Sequence, residues 1–166
     1  VYDVDNIIRI GSAGAFDDDL NLMDIVLGMG SCTDSNFAAQ YNLPGIYAPI
    51  ADFTLLKTAY DVAEEKHFSV KVGNVLASDV FYNDDTTVND RWEKMGVLAV
   101  DMESAALYMT AARCRKHALT ILTISDHLYR GEKLSAQERQ TGFTNMMETA
   151  LETAVRLQNN RQMEDL

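Results

Sequence analysis

Three short segments of the chain place polar or charged side chains at the ends of apolar runs. They cover residues 9–14, 101–103 and 125–127, and each contains a group that could bind or react: an arginine, a glutamate and an aspartate. Such groups are costly to bury unless each one has a partner. Because ligands of open α/β sheets lie beyond the carboxyl ends of the strands, we predict that the three segments meet in one site.

The first segment has the residue types of an anion site. Arg9 lies inside an apolar run, just before a predicted glycine turn, and a guanidinium there matches phosphate or carboxylate. Gly11 and Gly14 would let backbone amides approach the anion, and Ser12 adds a hydroxyl group. A strand followed by G-x-x-G is a weak signal by itself. The alternative is a structural salt bridge between Arg9 and an acidic residue.

The other two segments supply carboxylates. Glu103 follows a predicted strand and opens a predicted helix, where the helix dipole favours a negative charge, so a simple first-turn charge is the alternative. Asp126 ends the most hydrophobic strand of the chain. A buried carboxyl group at that position is a candidate for acid chemistry, and the alternative is a helix cap or a loop carboxylate.

A further cation lies near the start of the last helix. Ser135 and Glu138 form an S-x-x-E capping box that predicts the start of a long helix. Arg139 then lies in the first turn, where a cation opposes the helix dipole. Local conflicts of this kind often mark functional sites. The alternative is a solvated arginine.

An aromatic pair lies in a polar loop. Phe81 and Tyr82 are flanked by Asp79, Asn83 and Asp84. An aromatic side chain in such a loop could stack on a flat ligand. The alternative is that these rings close one edge of the core.

Strand and helix signals alternate along the chain. Strands are predicted at residues 6–10, 24–29, 69–76, 96–100 and 118–124. Helices are predicted at residues 51–67, at residues 104–116 and from residue 136 onward. Loops are predicted at residues 33–49 and 78–90. This alternation indicates an α/β fold with a mixed, mostly parallel central sheet flanked by helices, in a single domain of residues 1–166.

The composition excludes several classes of protein. A net charge of −11 and a pI near 4.5 argue against nucleic-acid or anionic-membrane partners, since those surfaces need clustered basic residues. No apolar run reaches the ~20 residues of a membrane span. Cys32 and Cys114 lie far apart, and we expect two buried thiols in a reducing, cytoplasmic compartment. No cluster of His, Cys and Asp has the spacing of a metal site.

Several motifs in order resemble one enzyme family. They are Arg9-Ile-Gly-Ser-Ala-Gly-Ala15, Val26-Leu-Gly-Met-Gly-Ser-Cys-Thr-Asp34, Ser78-Asp-Val-Phe-Tyr82, Val100-Asp-Met-Glu-Ser-Ala-Ala106, and Ser125-Asp-His127 with Ala136-Gln-Glu-Arg-Gln-Thr141. Together they resemble the bacterial, hexameric type of purine nucleoside phosphorylase, over residues 7–157. The resemblance implies phosphorolysis of purine (deoxy)ribonucleosides to the free base and (deoxy)ribose 1-phosphate. Inorganic phosphate would be the co-substrate, with no other cofactor.

The resemblance also implies roles at the phosphate and sugar end of the site. Arg9 and Ser12 would bind phosphate, and Gly11 would shape the backbone beside it. Glu103 would bind the ribose hydroxyls, and Met102 would pack on the sugar. Asp101 would also contact the sugar, at a position where the family usually has glutamate.

At the base end, Phe81 would stack on the purine, with Val100 and Ser125 beside it. Asp126 would act as general acid at purine N7, and Arg139 would move in to assist. Glycosidic cleavage passes through an oxocarbenium-like state, so it needs protonation of the leaving group and a nearby nucleophile. Burial at the end of an apolar strand would help an aspartate to keep its proton for this step.

Other functions within and beyond the family stay open. A uridine phosphorylase would not be expected to have Asp126, because pyrimidines have no N7, and a hydrolytic nucleosidase would not need Arg9. A non-catalytic nucleoside-binding relative is the alternative from another class. The family also implies a homo-oligomer, a hexamer built as a trimer of dimers. Since the chain opens almost directly with a strand, we expect it to be the C-terminal portion of a longer family fold.

Overall fold

The computed structural model describes residues 4–85 and 87–164, with side chains described through Asn159. Five strands form the sheet: β1 (Asn6–Ala15), β2 (Ile25–Thr33), β3 (Val70–Ala77), β4 (Ala99–Asp101) and β5 (His117–His127). Within the described residues, five α-helices accompany them: α1 (Phe53–Glu65), α2 (Val88–Glu93), α3 (Ser104–Arg113), α4 (Ala136–Thr141) and α5 (Thr144–Glu164). A 3₁₀ helix spans Phe37–Tyr41.

The sheet is mixed and mostly parallel, as predicted, but it closes into a barrel in the order β1-β4-β3-β2-β5. The pairs β1–β5, β2–β3 and β3–β4 are parallel, whereas β1–β4 and β2–β5 are antiparallel. Closure was not predicted, because strand order depends on pairings between segments far apart in sequence.

Both faces of β5 are covered by other parts of the chain. On one face, Leu122 and Ile124 pack in a hydrophobic cluster with residues of the other strands, such as Val26. The alternate residues Leu119 and Ile121 pack in a second cluster with α1, α3 and α5. A strand covered on both faces reads as a continuous apolar run, which is why β5 is the most hydrophobic segment of the sequence.

β1 is twice as long as predicted, and the predicted glycine turn is wrong. β1 pairs with β5 from Asn6 to Ala15, with one register shift between Ala13 and Gly14. Gly11 and Gly14 are therefore strand residues and not turn residues. Pairing with a long buried neighbour outweighs the weak strand preference of glycine, as expected when tertiary contacts decide local structure.

Other boundaries differ at loops and helix ends. The predicted loops at residues 33–49 and 78–90 contain the 3₁₀ helix and the start of α2. The predicted long last helix is broken between α4 and α5, where Gly142 ends α4. A Cβ atom on Gly142 would lie 2.6 Å from the Glu138 carbonyl oxygen, so this close approach requires glycine. The break separates the segment that carries Arg139 from the packed helix α5.

Tyr108 attaches α3 to the barrel at the point where the pairing of β2 with β5 ends. The antiparallel pairing of these strands ends at Leu27 and Ile121. At the next position the buried Tyr108 hydroxyl donates to the Gly28 carbonyl oxygen (2.5 Å) and accepts from the Thr120 amide (2.9 Å). This anchor holds α3, and with it the residues that precede its first turn. No helix in the described part of the chain is long and apolar enough to span a membrane.

Candidate active site

A cleft of about 760 Å³ runs beside β1. All of the residues to which the sequence assigned a role line it: Arg9, Gly11, Ser12, Phe81, Val100, Asp101, Met102, Glu103, Ser125, Asp126 and Arg139. The expected geometry was only partly right, because β4 runs antiparallel to β1. The cleft therefore lies along β1 and is not confined to the carboxyl edge of parallel strands.

Arg9 lies between two carboxylates. Its Nη1 donates to Asp101 Oδ2 at 3.0 Å, and its Nη2 donates to Glu103 Oε2. The side chain folds back over Gly11, where a Cβ atom would lie 3.1 Å from both terminal guanidinium nitrogens. Gly11 therefore gives Arg9 room to turn along the strand. The salt bridge that was the alternative for Arg9 is present, although the guanidinium remains at the wall of the cleft.

Asp101 is the buried member of this group. Its side chain is 1% exposed, and it accepts from the Ser104 hydroxyl at 2.6 Å and from the Ser104 amide at 3.2 Å. Burial raises the pKa of this carboxyl group, while hydrogen bonds from Ser104 and the charge of Arg9 oppose the rise. Both oxygens of Asp101 accept hydrogen bonds, so this carboxylate supports Arg9, and the sugar contact that the resemblance implied stays a prediction.

Glu103 has a different environment. It is the N-cap residue of α3 but makes no side-chain capping hydrogen bond. Its side chain is 59% exposed and reaches across to Arg9. The alternative, in which Glu103 only places a negative charge at the start of α3, is therefore wrong. Its carboxylate pairs with the Arg9 guanidinium and does not cap the helix.

Asp126 is a strand residue at the other end of the cleft. The Ser125 hydroxyl donates to Asp126 Oδ1 at 2.6 Å, and a Cβ atom on Gly14 would lie 3.1 Å from Oδ2. Its side chain keeps 31% exposure, so this carboxyl group is only partly buried, less than expected. β5 continues through His127 because β1 pairs with it as far as Ala15, and this keeps Asp126 at the edge of the cleft.

Arg139 is near Asp126 but not hydrogen-bonded to it. Its Nη2 lies 3.7 Å from Asp126 Oδ1, and its Nε donates to the Leu134 carbonyl oxygen at 3.3 Å. The capping box of Ser135 and Glu138 is confirmed. Because α4 ends at Thr141, Arg139 lies in the last turn of a short helix, where the dipole favours a cation. The predicted conflict with the helix dipole is therefore wrong.

His127 does not assist Asp126. Its ring is buried, and Nδ1 accepts from the amides of Tyr129 (3.4 Å) and Arg130 (3.3 Å). Nε2 then faces the Asp17 carbonyl oxygen at 3.3 Å. These contacts order the turn after β5. The imidazole of His127 is therefore engaged away from Asp126, whereas the guanidinium of Arg139 lies beside it.

Phe81 lies in the wall of the cleft with its ring 74% exposed, so the alternative of a plug at the core edge is wrong. It packs edge-on against Tyr82, with ring centroids 4.8 Å apart. The loop is held by Asp34, which accepts from the Ser78 hydroxyl at 2.6 Å and the Asp79 amide at 2.9 Å. This arrangement presents an aromatic face to a ligand without burying it in the core.

One side of the cleft was not predicted from the sequence. Asn83, Asp85, Val88 and Asn89 line it from α2 and the segment before α2, a region that was predicted as loop. Asp85 accepts from the Thr87 amide at 2.9 Å and hydroxyl at 2.7 Å. An Asp two residues before a Thr is a local hydrogen-bonding pattern that could have indicated this helix start.

The described residues contain no group of three His, Cys, Asp or Glu side chains placed to hold a metal ion. The prediction of two buried thiols is wrong, since Cys114 is exposed and Cys32 is half-buried. Burial raises the pKa of the Cys32 thiol. The polar side chains that line the cleft include carboxylates, guanidinium groups and hydroxyls.

Comparison with known proteins identifies the family of this chain. A sequence profile of the Phosphorylase superfamily matches residues 1–158. Purine nucleoside phosphorylase DeoD-type 2 from Aliivibrio fischeri (strain ATCC 700601 / ES114) is 51% identical over 156 residues, which cover 94% of this chain and 66% of that protein. The chain therefore belongs to the Phosphorylase superfamily.

Two other bacterial relatives are similar to a comparable degree. Purine nucleoside phosphorylase DeoD-type from Geobacillus sp. (strain WCH70) is 49% identical, over 94% of this chain and 66% of that protein. The protein of the same description from Clostridium beijerinckii (strain ATCC 51743 / NCIMB 8052) is 47% identical over 158 residues, or 95% of this chain and 67% of its own length. The chain spans about two thirds of the length of the curated relatives it matches.

Proposed function

We propose that this chain takes part in the phosphorolysis of purine (deoxy)ribonucleosides, a pentosyl transfer from a purine base to inorganic phosphate. The observation that carries the proposal is the presence of Arg9 and Asp126 in the same cleft. A phosphate oxygen bonds to C1′ of the sugar, and the bond from C1′ to N9 of the base breaks. The base keeps the bonding electron pair and takes a proton at N7, and the products are free purine and (deoxy)ribose 1-phosphate.

Arg9 and Ser12 would bind the phosphate at one end of the cleft. A guanidinium group forms paired, charge-assisted hydrogen bonds with phosphate oxygens. Gly11 leaves space for the bend of Arg9, and Asp101 holds its far side. Inorganic phosphate is the one co-reactant that the proposal needs.

Glu103 would accept hydrogen bonds from the ribose hydroxyls, because its exposed carboxylate lies next to Arg9 in the cleft. Met102 would pack on the sugar face. Phe81 would stack on the purine, with Val100 alongside. Stacking on an aromatic ring holds a flat base with little regard for its substituents, which agrees with the acceptance of both 6-oxo and 6-amino purines that the family resemblance suggests.

Asp126 would deliver the proton to N7. Ser125 donates to its Oδ1, so the acidic proton would be carried on Oδ2, the oxygen next to Gly14. Arg139, 3.7 Å from Oδ1, would stabilise the carboxylate that forms once the proton has left. The small size of α4 and the break after it would let Arg139 approach during the reaction.

Two other functions are tested against this one. A nucleosidase would use water in place of phosphate and would leave Arg9 a purely structural group. A non-catalytic relative would bind nucleoside without cleaving it. The pairing of Arg9 with carboxylates is compatible with both, so phosphate dependence is the observation that separates the three.

We also propose a homo-oligomer, a hexamer arranged as a trimer of dimers, in the cytoplasm. Exposed apolar side chains between residues 43 and 53 support the oligomer, and they include Leu43, Ile46, Ile50 and Phe53. Side chains of this kind in one stretch of surface are typical of interfaces between subunits. Two free cysteines support a reducing compartment.

The test is cleavage of inosine and adenosine with and without phosphate, by the wild-type protein, Asp126→Asn and Asp61→Asn. Asp61 is a matched control, since it lies on α1 and pairs with Lys57 away from the cleft. We expect phosphate-dependent release of base, reduced by about 10²- to 10⁴-fold in Asp126→Asn, the range of general acid catalysis. Cleavage that ignores phosphate would indicate a nucleosidase, and binding without cleavage would indicate a non-catalytic relative.

A further inference from the structure

The two carboxylates that pair with Arg9 are held to very different degrees. Asp101 has 1% of its side chain exposed and Glu103 has 59%. Each takes a different terminal nitrogen of the same guanidinium. A ligand that binds to this guanidinium therefore has to compete with one of two unequal partners.

Asp101 is the fixed partner. Besides Arg9 it accepts from the hydroxyl and the amide of Ser104, a residue with no exposed surface. The Ser104 hydroxyl is in turn 2.8 Å from the hydroxyl of the buried Ser31. Taking Arg9 away from Asp101 would leave a buried carboxylate without its cation, which is strongly unfavourable.

Glu103 is the exchangeable partner. In the part of the chain that the structure describes, Arg9 is the one hydrogen-bond partner of the Glu103 carboxylate. An exposed ion pair contributes little to stability, because water solvates both groups when they separate. An anion that binds the Nη2 side of Arg9 would therefore displace Glu103 and leave Asp101 in place.

We propose that Glu103 exchanges partners, from Arg9 to the sugar hydroxyls, when phosphate binds, and that this exchange couples the binding of the two substrates. The inference rests on the proposed function, because it assigns phosphate to Arg9 and ribose to Glu103. Phosphate frees the carboxylate that the sugar needs. A sugar that holds Glu103 in turn frees the Arg9 nitrogen that phosphate needs.

Thermodynamic linkage makes this coupling reciprocal. If phosphate tightens nucleoside binding by some factor, nucleoside must tighten phosphate binding by the same factor. We expect a factor of about 10, within the usual range of coupling between sites. Glu103 therefore has opposite effects on the two ligands, since it helps to bind the nucleoside and competes with the phosphate.

The test uses isothermal titration calorimetry with inorganic phosphate and a purine C-nucleoside, whose carbon–carbon glycosidic bond phosphate cannot cleave. Wild-type protein should bind the C-nucleoside about tenfold more tightly at saturating phosphate. In Glu103→Gln, phosphate alone should bind several-fold more tightly, the C-nucleoside should bind more weakly, and the coupling factor should fall to about one. Glu64→Gln, an exposed glutamate on α1, should behave like the wild type.

A second ligand keeps the test independent of any effect of the substitution on folding. The matching C-nucleoside without its two ribose hydroxyls should show no coupling to phosphate in the wild-type protein. Independent binding of phosphate and the intact C-nucleoside, or weaker phosphate binding by Glu103→Gln, would overturn the exchange and leave the proposed function standing. Failure of the wild-type protein to bind either ligand would overturn both.

Discussion

At the scale of single residues, the position of Asp126 depends on its neighbour in the chain. Ser125 is buried, and its hydroxyl is 2.6 Å from Asp126 Oδ1. Successive side chains of a regular strand point to opposite faces of the sheet. The hydrogen bond between the neighbouring side chains of Ser125 and Asp126 therefore requires a local departure from regular strand geometry. The register shift of β1 between Ala13 and Gly14 lies directly opposite this pair.

We predict that Ser125→Ala lowers kcat/KM for inosine by about tenfold. A hydrogen bond to a charged group contributes about 1.5–3 kcal/mol, and each ~1.4 kcal/mol of barrier changes the rate tenfold. Steady-state kinetics should also give an unchanged KM for phosphate, because Arg9 is not affected. Thr123→Val is the control, since the described residues offer the buried Thr123 hydroxyl no hydrogen-bond partner. An equal loss of activity in both variants would contradict a specific role for Ser125.

At the scale of secondary structure, α4 controls where Arg139 lies. It has six residues, too few to be stable without its cap. The Ser135 hydroxyl accepts from the Glu138 amide at 3.2 Å, and Glu138 Oε2 accepts from the Ser135 amide at 2.7 Å. Hydrogen bonding of the Glu138 carboxylate by the side chain and the backbone amide of Ser135 lowers the pKa of that carboxyl group below the usual value of 4.5.

We predict that Ser135→Ala speeds amide hydrogen exchange in α4 and lowers kcat by about fivefold, the factor that corresponds to one helix cap. The lowered pKa of Glu138 means that its contribution to the cap is complete above pH 4.5 and is lost as the pH falls through the folded-state value. The α4 exchange rates of the wild type and of Glu138→Ala, which keeps the Ser135 hydroxyl as an acceptor, should therefore converge in acid. The control is Ser35→Ala, which removes an acceptor of the Phe37 amide in the 3₁₀ helix. A pH-independent difference between the wild type and Glu138→Ala would contradict the role of Glu138.

At the scale of the whole molecule, the question is what covers its exposed apolar surface. Ile46 is fully exposed, and Phe53 at the start of α1 is 73% exposed. Both belong to the exposed apolar stretch between residues 43 and 53. A molecule with a net charge of −11 resists nonspecific association, so any stable assembly needs a defined apolar contact of this kind.

We predict that the double variant Ile46→Asp/Phe53→Asp lowers the assembled mass measured by light scattering after size-exclusion chromatography. Charges introduced into an apolar interface would have to be buried without partners. Since both side chains are exposed in the single chain, its circular dichroism should not change. Met95→Asp, a 78% exposed position next to α2, should leave the mass unchanged. An unchanged mass in the double variant would mean that another surface makes the assembly.

Local sequence patterns located much of the fold and the residues of the cleft. The continuous apolar run of β5, the amphipathic pattern of α1 and the capping box at Ser135 all depend on neighbouring residues, and they were read correctly. The glycines of β1 and the burial of Asp126 were misread. In each of these cases the outcome depends on a partner that is distant in sequence.

The sequence by itself determined the α/β class, the family and the side chains on one side of the cleft, because these follow from local periodicity and ordered motifs. Only the tertiary structure decided that the sheet closes, that β4 opposes β1, and that Asp101 lies behind Arg9 while Glu103 stays exposed. The physical reason is that pairing and burial are set by contacts across 90 or more residues. Two carboxylates two positions apart in the chain thus acquire different environments from one short strand and the helix that follows it.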